Sequence, residues 1–375
     1  MIPLMTVLAV LIASAASAQP APWKDAAPGR PVILPADHAS HPDYKLEWWY
    51  YTGNLDAADG RRFGYQLTFF RVGVDRAPTN PSRWAVRDLF MTHLALTDVD
   101  GRQHHFTERL NRSGPAWAGA STDTYRVWNE AWQATLAPGG VHRLQAQSDG
   151  FGVDLRVLED RPPVLHGEGG YSRKGSAPGN ASHYYSLTRM PTRGTVTVNG
   201  RAVEVTGQSW MDHEFGTSFL EDGQVGWDWF SIQLEDGRDL MIFQLRRADG
   251  SIDPRSSGTL IGMGPNSPSG AREPRSTPIT LDSGFRLEPG RLWTSPASKA
   301  RYPVTWRVVV PSAGLDLMVT AAVDAQELHT AESTGVSYWE GAIDVSGRAG
   351  DRPVKGRGYL EMTGYSGSPM SSLLR

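Results

Sequence analysis

Apolar and polar residues alternate with a period of two over much of the chain, and turn dipeptides close the alternating runs. That pattern is the mark of strands that bury one face. The clearest case is 195–205, which breaks at Asn199-Gly200, the favoured two-residue hairpin turn. Paired runs also flank Asp149-Gly150 (144–157), Asp236-Gly237 (230–243) and Gly314 (306–319). Helical spacing is scarce. Strands recurring every ten residues or so, with short turns, predict an all-β chain built from antiparallel barrels. The Ser-, Gly- and Pro-rich stretches 172–180 and 264–278 read as mobile loops.

One stretch repeats. Trp48-Trp49-Tyr50-Tyr51 leads to Asp59-Gly60-Arg61 and on to Arg71; Trp227-Asp228-Trp229-Phe230 leads to Asp236-Gly237-Arg238 and on to Arg246. The offset is about 178 residues, with a third echo at Tyr338-Trp339-Glu340. A duplication predicts two similar β-barrel domains, 38–190 and 191–375, each near the usual size of an eight-stranded barrel.

On a strand, Trp48 and Tyr50 face one way and Trp49 and Tyr51 the other, while Trp227 and Trp229 share a face with Asp228 behind. Most of these rings can simply fill a core; the functional reading is an indole-walled cavity for an apolar or amphipathic ligand, and both stand at this point. The densest polar cluster is Ser209-Trp210-Met211-Asp212-His213-Glu214-Phe215-Gly216. If extended, it places Asp212 and Glu214 on one face and His213 on the other, beside Met211 and Phe215. Carboxyls among rings are costly to desolvate unless bonded or used, and burial keeps one protonated as a general acid. A hydrogen-bonded corner that anchors the second domain would use the same residues, so both readings stand at this point. Asp212, His213, Glu214 and Asp228 are the candidate catalytic residues. The candidate ligand contacts are Glu47, Trp48, Tyr50, Gln66, Tyr185 and Trp210, with Phe215, Trp227, Trp229, Gln244 and Tyr359.

Other chemistry is poorly supported. His104-His105 point apart on a strand, and His38, His41 and Glu47 have no spacing that sets their geometry. There is no two-His-plus-Glu helical zinc motif, no Gly-x-Ser-x-Gly elbow and no phosphate-binding loop, so neither metal nor cofactor is expected. The chain has no cysteine, which excludes disulfides and thiolate chemistry. Its 37 basic and 40 acidic side chains leave a net charge of −3, which gives no field for nucleic acid. Residues 2–18 are apolar and end Ala16-Ser17-Ala18, the form of a signal peptide cleaved after Ala18. The mature protein is therefore expected in the periplasm or secreted, with no integral membrane segment left.

Three stretches together resemble a known superfamily: His41-Pro42 through Glu47-Trp48-Trp49-Tyr50-Tyr51-Thr52-Gly53-Asn54-Leu55, Tyr184-Tyr185-Ser186, and Gly207-Gln208 through Gly216. With Trp227 to Leu234, they are similar to the AttH-like and carotenoid 1,2-hydratase-like proteins, over residues 38–370 or so. The resemblance implies two lipocalin-like barrels packed around an apolar cavity. It also implies kinship with a secreted branch labelled as hydrolase or as a component of an ABC transport system, so an ABC permease is an expected partner. The hydratase branch adds water to a carbon–carbon double bond without a redox cofactor. His213 falls at that family's histidine and Phe215 where an indole is often found. The strand expected to carry the proton donor reads Leu240 to Leu245 and holds no carboxylate, unless Asp212, Glu214 or Asp228 takes the part. Ligand binding alone, acid-catalysed hydration and a glycan-active β protein are the three functions in view, the first needing least.

Overall fold

The structure is a computed structural model that describes residues 22–177, 179–262 and 277–367; the segment 2–18, read above as a signal peptide, and most of 264–278 lie outside these. No α-helix occurs among the described residues, which carry 25 strands and two 3-10 turns.

The first thirteen strands are β1 Leu46–Ala57, β2 Arg62–Gly73, β3 Asp88–Asp98, β4 Gln103–Arg112, β5 Ala118–Ala120, β6 Arg126–Asn129, β7 Trp132–Ala137, β8 Val141–Gln147, β9 Gly152–Leu158, β10 Val164–Leu165, β11 Tyr171–Arg173, β12 Ala181–Val198 and β13 Arg201–Ser218. They form one antiparallel sheet in the order β4-β3-β2-β1-β13-β12-β9-β8-β7-β6-β5, with β10 and β11 on β12. Side chains nearly close it into a barrel: Asn129 on β6 donates to Phe90 O (3.3 Å) and Thr92 Oγ1 (3.1 Å) on β3. Trp49, Tyr51, Tyr65, Trp132 and Met211 fill its interior.

The remaining strands are β14 Gln224–Leu234, β15 Asp239–Arg247, β16 Ser257–Ile261, β17 Ile279–Thr280, β18 Arg286–Pro289, β19 Leu292–Thr294, β20 Arg301–Pro303, β21 Thr305–Val310, β22 Leu315–Ala321, β23 Glu327–His329, β24 Ser337–Ala349 and β25 Arg352–Met362. Ten of them make a half-barrel in the order β17-β16-β15-β14-β25-β24-β22-β21-β18, with β23 on β24. Phe230, Trp306, Trp339 and Leu360 lie in its core.

The all-β, two-sheet architecture expected from the alternation is present, with the second sheet curling only halfway round. The Asn199-Gly200 turn joins β12 to β13 with both residues at positive φ (50° and 74°), the geometry that turn requires. The two aromatic hairpins are β1–β2 and β14–β15, and each first strand also pairs with the last strand of its own sheet, β13 or β25. The expected division at 190/191 falls inside β12. The chain changes sheets at 219–223, because the long β12–β13 hairpin completes the first barrel.

The outer face of β1–β2 packs on β14, β24 and β25 through a third apolar cluster that includes Tyr50, Trp210, Trp229 and Tyr359. A Cβ on Gly64 would come 2.6 Å from that of Ala342, so glycine permits the sheets to approach there. Asn54 Nδ2 donates to Gly358 O (3.0 Å), and Arg62–Asp344 (2.6 Å) and Arg357–Asp56 (2.8 Å) pair across the same seam.

Candidate functional site: an acid-bearing cavity between the sheets

Where the sheets diverge they leave a cavity of about 110 Å³. Trp48 and Tyr50 of β1, Phe70 of β2, Trp227 and Trp229 of β14 and Phe243 of β15 wall it, and Phe219 and Leu220 of the crossover close one side. Period-two alternation delivers these rings, because every other residue of a strand faces the same way. Tyr50 and Trp210 both meet Trp229 edge to face, with centroids 5.2 and 6.3 Å away.

Five acidic residues line this space: Glu47 of β1 turns its carboxyl to His41, Arg71 and His213, and four carboxyl groups enter, Asp212 and Glu214 from β13, Glu340 from β24 and Glu361 from β25. Glu340 and Glu361 are direct cross-strand partners. Glu340 is 1 % exposed; its carboxyl oxygens make no well-formed hydrogen bond, and the hydroxyls of Tyr50 and Tyr338 beside it are its nearest polar company. Burial, then the charge of Glu361, pushes the Glu340 carboxyl well up, and burial raises Glu361 as well. Two carboxylates side by side in low dielectric do not both ionise, so the pair holds a proton at neutral pH.

Asp212 differs in its surroundings. It accepts from Tyr184 Oη (2.6 Å), Trp210 Nε1 (2.6 Å) and Ser186 Oγ, yet burial outweighs these bonds and pushes it up to about 7. Glu214 pairs with Lys174 Nζ (3.1 Å), which also lies over the ring of Phe243 (4.0 Å). Lys174 falls in the stretch that the sequence marks as a mobile loop, but there it is buried and ion-paired. His93 faces the cavity too, bonded to Tyr338 Oη (2.7 Å) and Ser333 Oγ (2.8 Å), and burial lowers it to about 3, so it is neutral.

Asp212 and Glu214 therefore share a cavity-facing side of β13, with His213 opposite. His213 lies inside the barrel, stacked on Trp49 (5.0 Å) and bonded to Tyr185 Oη and Glu47 Oε1 (3.0 Å each). That position takes it out of the cavity walls. Phe215 also points inward, stacked on His41 at 3.6 Å. Asp228 sits behind the Trp227–Trp229 face, where Arg246 (3.1 Å), Tyr365 (2.9 Å) and Gln244 (3.4 Å) hold it. Of the expected contacts, Glu47, Trp48, Tyr50, Trp227 and Trp229 border the cavity. Gln66, Tyr185, Trp210, Gln244 and Tyr359 do not; Trp210 acts through its bond to Asp212, and Tyr359 lies deeper in the same apolar cluster.

Two further His–His–Glu groupings lie in and at the barrel: His41, Glu47 and His213, and His38, His142 and Glu159. Either has the donor types that hold a transition metal.

The AttH-like family matches residues 25–365. The chain belongs to the AttH-like family. A crystal structure from Nitrosomonas europaea described as an AttH superposes with a TM-score of 0.78 at 32 % identity, covering 92 % of this chain and 99 % of that one. Kievitone hydratase from Nectria haematococca shares the fold at 15 % identity (TM-score 0.68, 88 % and 92 % covered). CghA does so at 13 % (TM-score 0.51, 87 % and 89 % covered). No curated protein sequence matches.

In this AttH-like protein the acids that sequence reasoning missed are Glu340 and Glu361. The strand Asp239–Arg247 carries no carboxyl into the cavity, but the last two strands carry one each. A signal was present: Tyr338-x-Glu340 and Tyr359-x-Glu361 each set an acid on the apolar face of an alternating run. Nothing local shows that the two runs are paired in register.

Proposed function

We propose that this AttH-like protein binds an apolar or amphipathic small molecule carrying a carbon–carbon double bond, and adds water to that bond by acid catalysis without a cofactor. The observation that carries the reading is the Glu340–Glu361 pair, two carboxyls that share a proton and have no cationic partner in an indole-walled cavity. An acid kept neutral by burial is poised to donate.

In the step, the shared proton passes to one alkene carbon and leaves a carbocation on the other. The faces of Trp48, Trp227 and Trp229 stabilise that cation, by roughly 0.5–2 kcal/mol per ring. Water bonds to the cationic carbon and loses a proton to the carboxylate just formed, which restores the pair. A cavity of about 110 Å³ is of the order that takes one small ring or branched alkyl end, so the reacting end enters while the rest of a longer substrate lies towards the mouth. Export by the segment ending at Ala18 belongs to the same proposal, and so does a supporting role beside an ABC permease, should the ligand be carried rather than converted.

The test is incubation with prenylated phenols and acyclic polyenes, with water addition followed by mass spectrometry and binding by tryptophan quenching. Glu340→Gln and Glu361→Gln are expected to lower turnover about 10²–10⁴-fold while quenching persists. Quenching with no water addition in the wild type would leave a carrier; neither response would remove the cavity from the function.

A further inference from the structure

We propose that His38, His142 and Glu159, at one end of the barrel and independent of the cavity, bind one divalent transition metal of the zinc class. Both imidazoles aim Nε2 at the same carboxylate oxygen, Glu159 Oε2, at 3.0 and 3.3 Å. Their Nδ1 atoms are tied to phenols, His38 to Tyr185 Oη (2.7 Å) and His142 to Tyr51 Oη (2.8 Å). Three donors converge on one point, and each ring is held from behind in the manner of metal-bound histidines.

A count of protons gives the second argument. His38 and His213 each face a carboxylate through Nε2, Glu159 and Glu47 respectively, and each faces the same Tyr185 oxygen through Nδ1. A neutral imidazole has one N–H, and against a carboxylate it must sit on Nε2. Both Nδ1 lone pairs then point at Tyr185, whose single proton satisfies one of them and is also sought by Asp37 O (3.2 Å). The network is thus one positive charge short. Glu47 is already served by Arg71 (3.0 Å), Ser40 (2.7 Å) and His41 (2.8 Å). Glu159 has the two imidazoles and, among the described residues, no ion pair with arginine or lysine.

A metal at Glu159 closes the count. Each bound Nε2 is bare, each Nδ1–H donates to its phenol, and the Tyr185 hydroxyl donates its hydrogen bond to His213 Nδ1. The Glu159 side chain is 18 % exposed, which leaves an approach from solvent. Imidazole nitrogen with carboxylate oxygen selects zinc, cobalt or nickel over calcium or magnesium.

The experiment titrates the chelator-treated protein with Zn²⁺ by calorimetry, and with Co²⁺ by visible absorption. One equivalent is expected to bind, with a cobalt spectrum of low-coordinate nitrogen and oxygen ligation. His142→Gln and Glu159→Gln, checked for folding by circular dichroism, are expected to weaken it at least about 100-fold, and His41→Gln to leave it within about twofold. Loss in His41→Gln alone would move the metal to the other cluster and overturn the assignment. So would absence of binding together with a ¹⁵N signature of an imidazolium at His38, which supplies the missing charge as a proton. Should either ligand variant unfold, the histidine ¹⁵N shifts of the wild type on adding Zn²⁺ decide the matter: His38 and His142 must both move.

Discussion

Glu47 and Glu340 are both fully buried glutamates on long strands beside the same cavity, and their surroundings put them in opposite states. Burial disfavours the charge on each. At Glu47, hydrogen bonds from His213 and His41 and the guanidinium of Arg71 overcome it and hold the carboxyl well below its usual range. At Glu340 only the hydroxyls of Tyr50 and Tyr338 oppose it, too weakly to win, and the neighbouring Glu361 adds to it. Burial alone therefore says little about what an acid does. Its partners decide whether it is a strut or a reagent.

The largest expected effect breaks the strut. Glu47→Gln leaves Arg71 and His41 facing a neutral amide in the interior, and is expected to destabilise the fold by about 3–5 kcal/mol in urea unfolding. Glu340→Gln removes an acid that has no cationic partner and should leave stability within about 1 kcal/mol, or raise it. Equal losses in the two variants would erase the distinction.

Next in size is the pH dependence. Asp212, Glu340 and Glu361 have folded pKa values above their unfolded ones, so the native state keeps protons that the unfolded chain has released. Stability is present below the unfolded carboxylate range and is lost as pH rises, through about 7 for Asp212. His41, raised by Asp37 and Glu47 against its own burial, loses its contribution in the same direction above 6.5. Asp37 and Glu159, both lowered, act in the other window and lose theirs as pH falls below about 4. Histidines held neutral by burial, His93 and His213 among them, act oppositely and cost stability as pH falls below 6.5. The acids are therefore read above that range: melting temperature is expected to fall between about pH 6.5 and pH 8, and to fall less in Glu340→Gln and Asp212→Asn. A slope unchanged in both variants would contradict protonated acids in the cavity.

The smallest effect concerns Asp228, which has an arginine partner as Glu47 does, although burial still raises its carboxyl as it raises Glu340. Asp228→Asn weakens the contacts to Arg246 and Tyr365 and should cost about 1–3 kcal/mol of stability. Any water addition should stay within about twofold of wild type. A collapse of turnover with stability intact would place it in the chemistry after all.

The site was legible where its information is local. Asp212 and Glu214 share one face of β13 because side chains alternate on a strand, which the eight residues 209–216 already state. The same rule set Trp48 with Tyr50 and Trp227 with Trp229. It could not say which face looks into a barrel and which into the seam between sheets, so His213 and Phe215 were grouped with a cavity they turn away from. Nor could it show that Glu340 meets Glu361, since that needs the β24–β25 register.

Alternation and turn dipeptides thus determined, from sequence alone, that the chain is all β, where many of its hairpins turn, and which residues share a side of a strand. These follow from backbone geometry over a few residues. Tertiary structure alone decided that the long β12–β13 hairpin closes the first sheet, that four acids from three strands share one water-poor space, and that His38, His142 and Glu159 converge. Desolvation and proton sharing depend on neighbours distant in the chain, and no local pattern encodes the distance between them.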